Sequence, residues 1–142
     1  MPKINISAAD RNFSRCIREA NDWTCEYSGK QFERGSQGLH CSHLFGRRAY
    51  AVRFDPSNAF AHSFWAHQHL GANPVEFADW AEERLGAGMI QILRERKEDI
   101  GLAKQIKKSL PDVAKHYKQE LERIMGLRSQ GYVGKIEVFG YV

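Results

Sequence analysis

Residues 23–55 lose the helical repeat that both flanks keep, and this interruption limits the fold more than any other feature of the sequence. Before it, Phe13, Ile17 and Ala20 recur at helical spacing behind Ser7, a good cap, with Asp10 three positions on. That is a capping box with a shorter acid, and it predicts a helix over 7–21. Within the interruption, Gly29, Gly35, Gly38 and Gly46 punctuate short segments, as turns do and helix interiors do not. Residues 39–44 and 49–54 read as two short strands joined by a turn at 45–48. Helical spacing then returns: a helix opening after Pro56 and Ser57, starting near Asn58, would set Phe60, Phe64 and His67 on neighbouring turns.

The stretch GANPVEFADWAEERLG carries the cleanest helix signal, with Asn73 as cap, Pro74 at the first helical position and Glu76 completing the cap. Phe77, Trp80, Ala81 and Leu85 form its buried stripe, and Gly86 ends it. Two more helices are expected, over 89–108 with Gly101 as a breaker, and over 110–125 with Val113, Tyr117, Leu121 and Ile124 on one face. The closing GYVGKIEVFGYV is short, apolar and strand-like. The expected fold is α+β: an N-terminal helix, a hairpin, and a helical C-terminal half.

At 142 residues the chain matches one domain, 1–142, with the chemistry in about 23–86 and a helical extension over 87–142. No apolar run approaches the roughly 20 residues a membrane crossing needs. The N-terminal MPKINISAADRNF has no signal-peptide core, which leads to the expectation of a cytoplasmic protein. Cys16, Cys25 and Cys41 are an odd count, so thiols or ligands are expected rather than disulfides.

A net charge of +4 is compatible with a polyanionic partner, and its distribution says more than its size. Arg34, Arg47, Arg48 and Arg53 surround the first histidines; Arg94, Arg96, Lys97, Lys104, Lys107 and Lys108 form a second basic stretch. The second stretch reads as a solvated helix face, with DNA contact by Lys104, Lys107 and Lys108 an added role.

Five of the 6 histidines, His40, His43, His62, His67 and His69, fall within 40–69. A neutral imidazole is a natural general base near pH 7. A histidine or asparagine across from it can hold a divalent cation that stabilises charge on a phosphate and on its leaving oxygen. Arginines alongside, such as Arg47 and Arg48, would neutralise phosphates. These are the parts of a metal-dependent phosphodiesterase.

Taken together, CSHLFGRRAYAVRFDPSNAFAHSFWAHQHLGANPVEF resembles the core of HNH (ββα-metal) endonucleases, and within them the NinG/Rap group of phage recombination nucleases. The resemblance implies a ββα-metal core and a single Mg²⁺ or Mn²⁺. It implies His43 as the base that activates water, Asn58 as the residue that supports the loop and the base, and His67 as a helix-borne metal ligand. Ser42 stands where a second ligand usually sits and is a poor one, so His40 is the candidate helper. Arg48 and Arg53 would be phosphate contacts or structural anchors. The family often holds a structural zinc on two Cys-x-x-Cys pairs, which here read Cys25-Glu-Tyr-Ser28 and Ser63-Phe-Trp-Ala66. Three of four ligands are missing, so no structural zinc is expected. Packing by Tyr27, Phe60, Phe64 and Trp65 would replace it, with an improvised site from Cys25, Cys41 and His62 as the alternative. His62 and His69 are expected at the surface or behind the site. The implied activity is cleavage of branched recombination DNA by a homodimer, in a host cell cytoplasm if the chain is phage-encoded. The alternative is a binding module of the same fold that does not cut.

Overall fold

The capping box at the start of the chain forms as its residues require. In the computed structural model of the chain, which describes residues 4–142, helix α1 (Ala8–Ala20) begins on Ser7, whose hydroxyl accepts from the Asp10 amide. The Asp10 carboxylate accepts in return from the Ser7 amide at 2.8 Å. Residues 1–3, the start of the expected domain, lie outside the described residues. One stripe of α1, Ala9, Phe13, Cys16, Ile17 and Ala20, is buried. It packs on helix α7 (Leu110–Ser129) and on a two-stranded sheet.

That sheet differs from the expected one. Strand β1 (Leu39–His43) pairs antiparallel with β2 (Ala59–Ser63), Leu39 facing Ser63 and His43 facing Ala59. Residues 49–54, expected as the second strand, instead contain a one-turn helix, α2 (Tyr50–Arg53). Two side chains explain the correction. Asn58 binds the Val52 carbonyl at 3.0 Å, removing an acceptor that a strand ladder would use. Arg53 reaches the Asp10 carboxylate from the same turn that lays its guanidinium 4.7 Å from the Tyr50 ring centre.

The helix expected from Asn58 is corrected as well. A single 3-10 turn, Pro56–Asn58, leads into β2, and helix α3 (Phe64–Ala72) starts only after Ser63, whose hydroxyl accepts from the Ala66 amide at 3.2 Å. All five β2 residues are buried, and a strand buried on both faces has the same apolar run as a buried helix. Phe60 therefore lies on a strand, not a helical turn before Phe64.

Helices α4 (Pro74–Leu85), α5 (Met89–Lys97) and α6 (Ile100–Lys108) follow. The break expected at Gly101 falls earlier, because Asp99 accepts from the Leu102 amide at 2.9 Å and caps α6, leaving Gly101 inside it. The tail is not a strand. It is tied to α1 and α7 by isolated bonds, Ile136 to the Ala20 carbonyl at 2.8 Å and Phe139 to the Glu120 carboxylate at 2.7 Å.

Successive strand residues point to opposite faces, so the hairpin divides the interior in two. Leu39, Cys41, Ala59 and Ala61 join a core with α1 and α7, whereas Phe60 joins Leu70, Phe77, Ala81 and Ile90. The fold is mixed α+β, with seven helices and two strands among the described residues. None of those helices is long and apolar enough to cross a membrane.

Candidate functional site

His43 ends β1 on the face toward α1, its ring centre 6.0 Å from that of Phe13. Its Nε2 lies 3.0 Å from the Arg53 carbonyl oxygen. A carbonyl can only accept, so Nε2 carries the ring proton and Nδ1 keeps the free lone pair. The carbonyl stays in place because fully buried Asn58 pins the intervening loop. Its Oδ1 accepts from the Phe45 amide at 2.8 Å, and its Nδ2 donates to the carbonyls of Phe45 and Val52 at 2.9 and 3.0 Å. Burial, and after it the charge of Arg47, pushes the His43 pKa down to about 4, which keeps the ring neutral at pH 7.

On the opposite face of the hairpin, His40 meets His67 from α3, with the two Nδ1 atoms 3.0 Å apart and the rings edge to face. Burial, then the charges of His40 and Arg47, lowers the His67 pKa. Two nitrogens about 3.0 Å apart match adjacent donors around a divalent ion with bonds of about 2.1 Å at right angles. The pair therefore fits a divalent metal, and its all-nitrogen character favours a transition ion over Mg²⁺, which prefers oxygen ligands. Ser42 adds nothing to the pair: its hydroxyl lies 2.8 Å from His62 Nδ1.

His62 is fully buried, which corrects the surface position expected for it. It sits among Phe60, Phe77 and Trp80, and its Nε2 has no hydrogen-bond partner. Burial, then the charge of His67, drives its pKa down to about 3. His69 stays half-exposed, bonded to Glu76 at 2.8 Å.

The improvised zinc site does not form. Cys41 packs in the α1 core, and His62 lies across the hairpin from it. Cys25 is fully buried, and its sulfur accepts from the Ser28 amide at 3.4 Å. Burial raises the Cys25 pKa, yet hydrogen bonds from Ser28 and Ser63 outweigh it and lower the value overall. Hydrogen bonding thus occupies the position of the degenerate zinc knuckle. Among the described residues no group of three His, Cys, Asp or Glu converges to hold a metal. Phe60 fills the interior as expected, whereas Phe64 and Trp65 are each 60% exposed and do not.

The cations separate into three roles. Arg53, expected as a phosphate contact or an anchor, is an anchor: it is 2% exposed and donates to both Asp10 carboxylate oxygens at 2.9 Å. Its remaining hydrogens go to the carbonyls of Arg47 and Asn5, so none is left for a phosphate. Arg47 has a buried Nε without a partner, and its charge reaches both His43 and His67. Arg48 lines a concavity of about 220 Å³ with Tyr50, Lys97, Lys104 and Lys107. A second concavity, about 410 Å³, shares Arg48, Tyr50 and Lys107 with it. Lys108 is exposed on α6 but lines neither. Tyr50 and Lys97 were absent from the expected site. A three-residue spacing from Tyr50 to Arg53 signals a shared helical face, which the strand assignment concealed.

Comparison of the chain with protein-family models, with characterised proteins and with solved structures gave no match.

Proposed function

We propose that the chain is a metal-dependent endonuclease of the ββα-metal (HNH) kind, hydrolysing phosphodiesters in branched recombination DNA. The observation that supports this most is the convergence of His40 and His67, Nδ1 to Nδ1 at 3.0 Å, beside a strand that ends in a carbonyl-oriented His43. The order β1, loop with Asn58, β2, α3 with His67 supports the same reading.

His43 Nδ1 takes a proton from water, and the water oxygen forms a bond to phosphorus as the ester P–O bond breaks. Asn58 acts through His43, holding the loop whose carbonyl fixes the tautomer. Arg47 offsets phosphate charge beside both histidines. His40 and His67 would hold the divalent ion, with Mn²⁺ a better match than Mg²⁺; when bound, it stabilises negative charge on the phosphate and the departing oxygen. Arg48, Lys104 and Lys107 are suited to flanking phosphates, with Lys108 further along the same helix. Two symmetric nicks at a junction call for a two-fold dimer, for which exposed Tyr132, Val133 and Phe139 of the tail offer contacts. A cytoplasmic setting belongs to the same reading.

His43→Ala should lower Mn²⁺-dependent cleavage of four-way or flap DNA by about 10²–10⁴-fold, with DNA affinity changed only a few-fold. Undiminished cleavage in that variant would sink the assignment. A second reading, a DNA-binding module that does not cut, draws on Ser42 in the position of an acidic ligand with its hydroxyl committed to His62. That protein would show steeply salt-dependent DNA binding and no cleavage with Mg²⁺, Mn²⁺ or Zn²⁺.

A further inference from the structure

Phe64 and Trp65 open α3 at adjacent positions, each 60% exposed, although large aromatic side chains are costly to leave in water. Both border the histidine pair's surroundings. The Phe64 ring stands edge to face on His40 with centres 5.7 Å apart. Trp65 lies parallel to His69, centres 4.8 Å apart and planes 7° apart. His69 is in turn held by Glu76 at 2.8 Å, and Glu76 by the Tyr27 hydroxyl at 2.6 Å. A chain of polar and ring contacts therefore fixes an exposed tryptophan face. A pre-ordered ring loses little conformational freedom when something stacks on it.

Resting on the nuclease reading above, we propose that Phe64 and Trp65 form a stacking platform for an unpaired base, so that the substrate is DNA with unstacked nucleotides beside the scissile phosphate. Continuous duplex hides its base faces within the stack, whereas a fork, gap or junction offers them. Aromatic rings accept any base, because every base has a π-face. Charge selects the occupant. The rings adjoin Arg47-influenced His67 and His40, a setting that suits a polyanion carrying flat rings better than an apolar protein knob. A nucleotide stacked on Phe64 would carry its own phosphate toward the His40–His67 pair.

The test uses the full chain with cleavage suppressed by EDTA. Wild type should bind a forked DNA more tightly than a continuous duplex of equal length. Phe64→Ala combined with Trp65→Ala should weaken the fork complex by about 5- to 100-fold and leave the duplex complex within about twofold. Trp65→Phe, which keeps a ring, should lose less than Trp65→Ala. Both residues are exposed, and a far-UV CD spectrum matching wild type confirms that the variants fold. Equal losses on both DNAs, no loss on either, or no binding by wild type overturns the platform. So does a double variant that binds both DNAs normally but changes from dimer to monomer by light scattering, since the occupant is then a second copy. The nuclease reading is judged separately, by whether wild type cuts either DNA once Mn²⁺ is added.

Discussion

The two faces of the β1–β2 hairpin are made from alternate residues of the same ten, yet they are different environments. Toward α1 lie Leu39, Cys41, Ala59 and Ala61, an apolar surface whose one polar ring, His43, sits at the strand end. Toward α3 and α4 lie His40, Ser42, Phe60 and His62, where polar side chains pair with each other or with α3. The period of two assigns the base to one face and the nitrogen pair to the other. Only at the end of β1, where the loop carries Arg47, does one charge reach both. A short hairpin can thus keep a proton acceptor and a cation-binding pair apart within the fold and bring them together at its rim.

The largest break in this comparison comes on the α1 face. Arg53 anchors the loop by two bonds to Asp10, both partners buried. Arg53→Ala leaves a buried carboxylate without its partner, which costs about 3–5 kcal/mol. It also frees the chain segment whose carbonyl orients His43. Chemical denaturation should show the loss, and cleavage at temperatures where the variant stays folded should still fall. A variant as stable as wild type would show that the loop is held by Asn58 alone.

How much of this was legible in the sequence follows from where tertiary contacts override local pattern. The α1 cap, the α4 boundaries at Asn73 and Gly86, and the stripe on α7 were readable, because each depends on neighbours three or four residues away. The pairing of β1 with residues 59–63 was not, since Ala59, Phe60 and Ala61 are apolar whichever element they form. What closes that register is Asn58 reaching back to Phe45 and Val52, a contact between side chain and backbone with no sequence period. His40 and His67 were named as candidates, yet their approach across 27 positions depends on that unread register. The burial of His62 was missed for a related reason: its place opposite His40 exists only in the β1–β2 pairing.

Acid should then separate the two faces. The His62 pKa falls from 6.5 to about 3 on folding, so between those values the unfolded chain binds the extra proton. Its contribution to stability is complete above pH 6.5 and is lost as pH falls toward 3. For a fully buried ring at about 1.4 kcal/mol per unit, that loss is on the order of several kcal/mol. His43 adds a loss of the same sign between 6.5 and about 4. Ser42→Ala with His62→Leu removes both members of the polar pair at once, which should be close to neutral at pH 7.5. At pH 5 the same variant should melt above wild type. Ser42→Ala alone should be less stable than the double variant, because it strips His62 of its one printed partner. If acid unfolds wild type and double variant in parallel, the α1 face and His43 govern the acid limit instead.

The smallest effect probes the junction of the faces. Ser63 ends β2 opposite Leu39 and caps α3 by accepting from the Ala66 amide at 3.2 Å. Ser63→Ala should cost about 1 kcal/mol, a fall in Tm of a few degrees for a chain of this size. Loss of the cap frays the first turn of α3, which carries Phe64 and Trp65 and precedes His67 by one residue at Ala66. The variant should therefore bind Mn²⁺ more weakly, while the titration of His43, followed by NMR, stays where it was. The reasoning is geometric. His43 takes its orientation from the Arg53 carbonyl and the Asn58-pinned loop, neither of which touches the cap. A shift in the His43 titration on losing a cap across the hairpin would mean that the two faces respond as one unit, and that the division drawn from strand alternation does not extend to their chemistry.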